Sequence, residues 1–256
     1  MKKRHIFGID LGGTNFKIAL LDSQCRIIEK QIVSTKQFSS KESLILAICA
    51  AIAQISAKYK LNKKDLLGVG LGVPGPVDHQ TGTVHFFPNL PGWKEVRLQS
   101  ILQKKLGLPV FLDNDAKLMA LAEYRLGRGR RMKNVLCLTL GTGVGGGLII
   151  NGQLYRGQDN AAGEIGHLPI NESGPDCNCK GFACLEAYIG NNRILKEAKK
   201  IHRRDISLEE LSALARKKNK AAATIWRRVA GHLGVALAGA VNLLNLDGVI
   251  IGGGVA

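Results

Sequence analysis

Hydrophobic and polar positions along the chain alternate first with the period of a strand and then with that of a helix. Apolar runs of strand length predict strands in IFGID, NFKIALLD, RIIEKQIVST, LLGVGLGVPGPVD and LPVFLDND. Helical spacing predicts a helix in SKESLILAICAAIAQISAKYK, with Ser40 as its N-cap and Glu42 in its first turn. A second helix, AKLMALAEYRLG, follows the last of these strands. This order is typical of an α/β protein.

The second half of the chain opens with the same kind of pattern. NVLCLTLGTGVGGGLIING predicts a strand, a glycine-rich turn and another strand. Helices are predicted from about 184 to 202, 207 to 218 and 221 to 245. DGVIIGGGVA then predicts a final strand that runs into a glycine turn.

An internal repeat relates the two halves. When the chain is shifted by 129 positions, IDLGGTNFKIALLD lies on LTLGTGVGGGLIIN, with Asp10 on Thr139 and Gly12 on Gly141. A strand–turn–strand unit used twice predicts one hairpin in each of two domains, 1–115 and 116–256. The two hairpins would face a polyphosphate across a cleft. Two unrelated glycine-rich hairpins are the alternative.

Length and charge narrow the possible classes of protein. A chain of 256 residues is long enough for two domains. No run of eighteen apolar residues is present, and MKKRHIFGID lacks the apolar core of a signal peptide, so we expect a cytoplasmic protein. The net charge of +16 comes from scattered basic runs, which we interpret first as solvated helix faces and linkers and second as an attraction for an anionic small molecule. Because only 5% of residues are aromatic, a nucleotide is a better candidate than nucleic acid.

Three glycine-rich segments have the chemistry of nucleotide binding. Glycines let the backbone approach phosphate closely in D-x-G-G-T, where Thr14 adds a hydroxyl and Asp10 can hold Mg²⁺ directly or through water. Lys17 is close enough in sequence to face the same site. GTG at 141–143 would be a second clamp, and GGG at 252–254 can admit a flat nucleoside. A tight turn capped by aspartate is the alternative for the first segment.

Acidic residues at a predicted strand end are candidates for a catalytic base. Phosphoryl transfer to a hydroxyl needs a group that accepts the hydroxyl proton, and LDND offers Asp113 and Asp115. In an extended segment the two carboxylates would point the same way, so spacing does not choose between them. Helix capping by Asn114 or Asp115 is the alternative. In GEIGH, a carboxylate at 164 and an imidazole at 167 suit the vicinal hydroxyls of a sugar.

Three cysteines in DCNCKGFACLE predict a metal site. Cys177, Cys179 and Cys184 are soft ligands, and His167, ten residues earlier, can complete the four ligands that structural zinc requires. Such a site would fix the imidazole and hold Glu186 on a rigid loop. A disulfide would leave one cysteine unpaired and does not suit a cytoplasmic chain. The remaining cysteines, at 25, 49 and 137, are predicted to be packing residues.

Eight motifs in this order resemble the ROK family of sugar kinases. They are DLGGTNFK, GVPGPVD, PNLPGW, DNDA, LGTGVGGG, GEIGH, CNCKGFACLE and IIGGG. The resemblance extends from residue 6 to the end of the chain. It implies a two-domain actin-like ATPase (ribonuclease H-like) fold, ATP, Mg²⁺ and structural zinc as cofactors, and phosphorylation of a hexose at its 6-hydroxyl.

The resemblance also assigns roles to individual residues. It implies that Asp115, and not Asp113, is the general base. Sugar contacts are implied for Asn114, Asp115, Glu164, His167 and Glu186, and Gly75 and Asn89 are expected to border the sugar. Phosphate and Mg²⁺ contacts are implied for Asp10, Gly12, Gly13, Thr14, Thr142 and Gly143, and nucleoside contacts for Gly252 and Gly253. The zinc ligands of the family match His167, Cys177, Cys179 and Cys184.

Two departures from the family pattern affect these expectations. The family has C-x-C-G-x-x-G-C-x-E at the zinc site, whereas this chain has Lys180 and Ala183 in place of the glycines, so the loop backbone is expected to differ. Family members usually continue past the position of GGGVA, so the second domain is expected to be short at its C-terminus, with an effect on ATP affinity.

The resemblance leaves several possible functions. The motifs GEIGH and NLPGW favour glucose as the sugar. The resemblance implies a homodimer, and we expect a cytoplasmic protein that binds neither nucleic acid nor membrane. The alternatives are an N-acetylglucosamine, N-acetylmannosamine or fructose kinase, and a sugar-binding protein without catalysis. Nucleic-acid binding driven by the net charge is a third possibility; it predicts steeply salt-dependent DNA affinity.

Overall fold

The computed structural model describes residues 4–87 and 92–256, which form two compact α/β units. One unit comprises the residues up to Leu118 together with Gln158–Asn160. The other comprises Met119–Gly157 and Ala161–Ala256. The first unit therefore ends three residues after the domain boundary predicted from the sequence, and that boundary itself stays a prediction.

The first unit is built on a five-stranded sheet. In chain order its elements are β1 (His5–Leu11), β2 (Asn15–Asp22), β3 (Ile27–Ser34), α1 (Lys41–Lys58), β4 (Leu66–Val73), β5 (Val77–Asp78), β6 (Thr83–Phe86), β7 (Lys94–Val96), α2 (Leu98–Leu106), β8 (Val110–Asn114) and the start of α3 (Asp115–Arg125). The large sheet has the order β3-β2-β1-β4-β8, and β5, β6 and β7 form a separate antiparallel sheet.

Alternation along the strands creates the core of the first unit. In β2, Phe16, Ile18 and Leu20 are fully buried, whereas the residues between them are more exposed. The apolar face of α1, including Ile48 and Ile55, packs in the same cluster. Ser40 caps α1 as predicted, because its hydroxyl accepts the N–H of Ser43.

The second unit has a four-stranded sheet and four helices. Its elements are β9 (Val135–Leu140), β10 (Val144–Ile150), β11 (Gln153–Tyr155), α4 (Leu185–Ile189), α5 (Asn191–His202), α6 (Leu208–Arg216), α7 (Lys220–Leu244) and β12 (Gly248–Gly252). The strand order is β11-β10-β9-β12. A separate core combines the strands with the inner faces of α4 to α7.

The two sheets repeat one arrangement of strands. In each, a hairpin and a third antiparallel strand are followed by a later strand that pairs parallel with the first: β4 with β1, and β12 with β9. The predicted repeat is therefore present as structure. The loops of the two hairpins differ in length by one residue, since Leu11 pairs with Phe16 whereas Leu140 pairs with Val144.

Some features differ from the prediction. The long helix predicted from residue 184 is interrupted at Gly190, which separates α4 from α5. Helix α2 and the small sheet were not predicted. Cys137 is buried and Cys49 half-buried, but Cys25 is exposed in a turn with a left-handed backbone, so a packing role for it was wrong. Within the described ranges, no helix is long and apolar enough to cross a bilayer.

Candidate functional site

The carboxyl ends of three parallel strands bring the acidic residues of the first unit to one edge. Asp10 of β1 is in register with Gly72 of β4, which is in register with Asp113 of β8. Loops that follow parallel strands meet at this edge, which is where α/β sheets bind ligands. The first glycine turn, the loop at Gly75 and the head of α3 all lie here.

The first glycine turn, residues 12–14, is held by an anchor that sequence reasoning missed. The N–H of Gly12 donates to the carbonyl of Asn15 at 2.9 Å. The hydroxyl of buried Thr35 donates to the carbonyl of Gly13 at 2.8 Å, and its N–H donates to the carbonyl of Thr14 at 2.9 Å. Because peptide groups are planar and trans, N–H groups of these peptides point away from Thr35. Only the closeness of the turn in space, not any motif, identifies this residue.

Asp10 and Lys17 form an ion pair beside this turn. They are directly opposite in the β1–β2 register, and Nζ of Lys17 lies 2.9 Å from Oδ2 of Asp10. Both side chains are about half exposed, at 51% and 52%. Lys17 therefore faces the same side of the hairpin as Asp10, and the pair combines a cation and a carboxylate next to the glycine turn.

The chain changes from strand to helix between the two candidate bases. Since β8 ends at Asn114 and α3 begins at Asp115, the two carboxylates do not lie in one extended segment, contrary to that sequence expectation. Asp113 is buried at 3% exposure and accepts the N–H of Asn114 at 2.8 Å. Asp115 is partly exposed, and its Oδ1 accepts the N–H of Ala116 at 2.7 Å. Of the two, Asp115 is the carboxylate that a substrate can reach.

Asn114 joins the head of α3 to the neighbouring loop. Its Oδ1 accepts the N–H of Lys117 at 3.1 Å, which caps the helix, and its Nδ2 donates to the carbonyl of Gly75 at 3.2 Å. Gly75 has φ +87°, a conformation that favours glycine. The capping alternative thus holds for Asn114. Asn89, the remaining candidate on the sugar side of this unit, lies outside the described residues.

A buried lysine near the same helix start was not predicted. Lys117 is 1% exposed and lies in the first turn of α3, four positions after Asp113 of β8, which is also buried. Ionised groups in an interior are normally paired, so buried polar side chains adjoin the partly exposed Asp115 along the chain. A lysine in a helical pattern normally indicates a solvated face, which is why the sequence did not reveal it.

In the second unit, the other glycine turn lies beside the glycines at the end of the chain. Gly252 pairs with Thr139, and Gly253, with φ +103°, packs so closely on Leu140 that a side chain would collide with its carbonyl. Leu140 leads directly into the turn 141–143. The structure therefore brings Thr142 and Gly143 to the same sheet edge as Gly252 and Gly253.

The predicted sugar-contact residues of this unit come from two short helical segments. Glu164 precedes a 3-10 turn, Ile165–His167, and its carbonyl accepts the N–H of His167 at 3.0 Å. Glu186 lies in α4, and its Oε2 accepts the N–H of Val144 at 2.9 Å. Glu164 and the imidazole are thus one turn apart, whereas Glu186 contacts the glycine turn.

Cys177, Cys179, Cys184 and His167 form one cluster. Their four candidate ligand atoms all lie within 4.8 Å of one another. The Sγ atoms of Cys179 and Cys184 are 3.7 Å apart, as are Sγ of Cys177 and Nδ1 of His167. A Zn–S bond of about 2.3 Å places two sulfurs of a tetrahedral site about 3.8 Å apart. The donor set therefore fits zinc, and the sulfurs are too far apart for a disulfide.

The environment of the thiols sets how metal binding depends on protons. Burial raises the pKa of Cys177, and raises the pKa of Cys184 to about 12. The N–H of Gly181 lowers the pKa of the exposed Cys179 thiol. Because the thiolate is the ligand, a metal that binds here must release protons from the two buried thiols.

Lys180 and Ala183, which replace the two glycines of the family pattern, have a backbone conformation that favours glycine. Lys180 has φ +70° and Ala183 has φ +54°, both in the left-handed region. Two residues with side chains therefore occupy conformations that cost more for them than for glycine. The expectation that the loop backbone differs from that of the family stays a prediction.

Comparisons with known proteins agree with this architecture. The model of the ROK family matches residues 6–256. A glucokinase from Thermotoga maritima is 36% identical to this chain, and the match spans all of this chain and 83% of the glucokinase. A xylose repressor from Caldicellulosiruptor bescii is 34% identical; 96% of this chain matches 65% of its length.

A solved structure extends the likeness to three dimensions. The ROK family glucokinase from Streptomyces griseus, in complex with glucose and AMPPNP, has a TM-score of 0.83 and 32% identity; 98% of this chain matches 83% of that chain. The predicted fold class, a two-domain actin-like ATPase fold, is thereby confirmed. With its motifs, its fold and these relatives in agreement, the chain belongs to the ROK family.

Proposed function

We propose that this protein transfers the γ-phosphoryl group of ATP to the 6-hydroxyl of a hexose, with glucose as its first substrate. The observation that carries the proposal is the position of Asp115. Its carboxylate is partly exposed at the head of α3, at the sheet edge that also bears the first glycine turn and Asp10. The glucokinases among its relatives support glucose as the sugar.

Asp115 acts as the general base of this reaction. Its carboxylate accepts the proton of the 6-hydroxyl as the hydroxyl oxygen attacks the phosphorus and the bond to ADP breaks. Such proton transfer contributes about 10²–10⁴-fold to the rate. The hydrogen bond from the N–H of Ala116 orients the carboxylate, and the cap by Asn114 fixes the helix start that carries it.

The glycine segments hold the nucleotide. We assign phosphate contacts to Gly12, Gly13, Thr14, Thr142 and Gly143, and nucleoside contacts to Gly252 and Gly253. Asp10 would hold Mg²⁺ directly or through water, and the bound ion would supply positive charge to neutralise the phosphates. Lys17 is placed to contact a phosphate oxygen. The net charge of +16 attracts this anionic substrate.

The remaining site residues are assigned to the sugar. We assign contacts with the sugar hydroxyls to Asn114, Asp115, Glu164, His167 and Glu186, with Gly75 and Asn89 at the border. His167 can serve both zinc and sugar, because Nδ1 faces the cysteine cluster and Nε2 is a separate donor. Bound zinc would supply a structural crosslink that fixes the imidazole ring.

A coupled ADP-release assay over a panel of sugars tests this function. We expect glucose-dependent turnover that exceeds turnover with N-acetylglucosamine, N-acetylmannosamine or fructose. Asp115→Asn should lower kcat about 10²–10⁴-fold while glucose affinity stays within a few-fold. The matched control is Asp159→Asn, an exposed aspartate of the same unit, which should retain the wild-type rate. Wild-type turnover in Asp115→Asn would exclude the base assignment.

A sugar-binding protein without catalysis is the second candidate. The similarity to a xylose repressor supports it, since members of the family include regulators. Calorimetry separates the two possibilities. Glucose binding without ATP binding would favour the sugar-binding protein without catalysis, whereas binding of both ligands with turnover favours the kinase.

A homodimer remains our prediction for the assembly.

A further inference from the structure

The carboxylate of Glu186 lies directly on the second glycine turn. Its Oε2 accepts the N–H of Val144, the residue that follows the turn, at 2.9 Å. A Cβ atom at Gly143 would collide with the same oxygen, so glycine at this position is what lets the carboxylate approach. Val144 itself is buried at 3% exposure. The contact is therefore part of the packed structure and not an exposed surface contact.

Each end of the turn is attached to a different helix: one end to the start of α5 and the other to α4. At one end, the carbonyl of Gly141 accepts the N–H of Asn191 at 2.9 Å. At the other end, the N–H of Val144 donates to Glu186. The carbonyl of Glu186 accepts the N–H of Gly190 at 2.9 Å, which closes the short helix between these two attachments. The helix begins directly after Cys184, so the turn is linked through α4 to the cysteine cluster.

We propose that Glu186 is a positioning residue for the glycine turn at 141–143 and couples this turn to sugar binding. One oxygen of the carboxylate, Oε2, fixes the backbone that would contact phosphate. The other, Oε1, remains to accept a sugar hydroxyl. The inference rests on the proposed function for the identity of the two ligands, but the attachment of the turn to Glu186 is independent of it.

Three substitutions separate this role from sugar binding alone. Glu186→Gln keeps an amide oxygen that can accept the N–H of Val144 but removes the charge. Glu186→Ala removes the acceptor and leaves a buried N–H without a partner, which is the costly case. Glu186→Asp keeps the charge on a side chain one methylene shorter, which withdraws it from the turn. Glu172→Ala, on an exposed loop residue, is the matched control.

Amide exchange at Val144 and calorimetry with ADP and with glucose are the measurements. We expect Glu186→Ala and Glu186→Asp to exchange the Val144 amide about tenfold faster and to bind ADP about tenfold more weakly. Glu186→Gln should keep both values within about twofold while it binds glucose about tenfold more weakly. Glu172→Ala should match the wild type in every measurement. Thermal melting of each variant identifies general unfolding.

The possible failures are distinguishable. If Glu186→Ala folds and its Val144 amide exchanges as in the wild type, the positioning role is wrong. If that variant does not fold, Glu186→Asp decides, and wild-type exchange and ADP affinity in it overturn the proposal. If instead the wild type binds no ADP, the proposed function fails, while exchange at Val144 still confirms or overturns the attachment of the turn.

Discussion

At the residue scale, the first glycine turn depends on a side chain far from it in sequence. Thr35 is fully buried and holds the carbonyls of Gly13 and Thr14 through its hydroxyl and its N–H. Its position at the end of a strand motif has no feature of a binding residue. The glycines were recognised because they lie in one short motif, whereas their anchor is 22 positions away. Such a contact appears only once β2 and β3 are paired.

We expect Thr35→Val to weaken nucleotide binding more than sugar binding. Valine has nearly the shape of threonine but cannot donate to the carbonyl of Gly13. The loss of a buried hydrogen bond costs about 1–3 kcal/mol, so the free energy of unfolding should fall by this amount and the KM for ATP should rise several-fold. Urea unfolding and steady-state kinetics measure the two effects. An unchanged KM for ATP in Thr35→Val would show that the anchor does not position the turn.

Backbone strain in the cysteine loop can be relieved at Lys180. Because Lys180 is exposed and has φ +70°, Lys180→Gly should raise the free energy of unfolding by about 1 kcal/mol. Lys196→Gly is a control for which the change in the free energy of unfolding should have the opposite sign. This exposed lysine lies inside α5, where glycine should lower the free energy of unfolding by about 1 kcal/mol. Chemical denaturation measures both. A loss of stability in Lys180→Gly would contradict the strain argument.

At the element scale, strands and long helices followed the hydrophobic pattern, and short elements did not. The hairpins, α1 and α7 have many periodic positions and were predicted. The strands β5, β6 and β7 have two to four residues each, too few for a period to be recognised, and they pair only because the chain folds back after the proline-rich loop. At Gly190 the backbone between α4 and α5 is extended, with ψ 147°, and close packing favours glycine there because a Cβ would lie 2.9 Å from the carbonyl oxygen of Thr142.

Asp247 joins two strands of the second sheet and makes their stability dependent on pH. Its Oδ2 accepts the N–H groups of Asn134 and Lys133 at 2.8 and 2.7 Å, which connects the start of β9 to the start of β12. The hydrogen bond from the N–H of Asn134 has the largest effect and that from Lys133 the next largest. Both lower the pKa of Asp247 below its ordinary value of 3.8. The carboxylate is therefore stabilised in the folded protein relative to the unfolded chain.

The sign of the pH dependence follows from that shift. A lowered pKa contributes stability that is fully present above the ordinary value and is lost as the pH falls through the lowered value. We expect Asp247→Asn to be less stable than the wild type at pH 7, with the difference disappearing in acid. Urea unfolding of the wild type and of Asp247→Asn from pH 7 down to pH 3 measures this difference. A difference that grows in acid would refute the assignment.

At the scale of the whole molecule, each unit has its own apolar core, and the cysteine cluster lies in the second unit. The internal repeat made this organisation predictable, because the same strand–turn–strand pattern occurs twice. The position of the boundary within α3 was less predictable, since a helix that passes from one unit to the next has no interruption in its sequence pattern.

Metal removal should therefore affect the two units unequally. We expect about one zinc per chain by metal analysis, and loss of that zinc and of sugar affinity in Cys179→Ser. In the wild type, a chelator should speed amide exchange in the strands of the second unit and leave the core of the first unit, such as Ile48, unchanged. Cys25→Ser, at an exposed cysteine outside the cluster, should keep the metal. A full zinc content in Cys179→Ser would rule out the cluster as the site.

The ion pair of Asp10 and Lys17 has a consequence for turnover. An exposed pair of this kind contributes less than about 1 kcal/mol, so an incoming divalent cation or phosphate can separate it at little cost. In the proposed reaction, the lysine is then an internal counter-ion that balances and orients the carboxylate before the nucleotide binds. The same ammonium could move by a rotation of its side chain to the phosphate charge of a bound nucleotide.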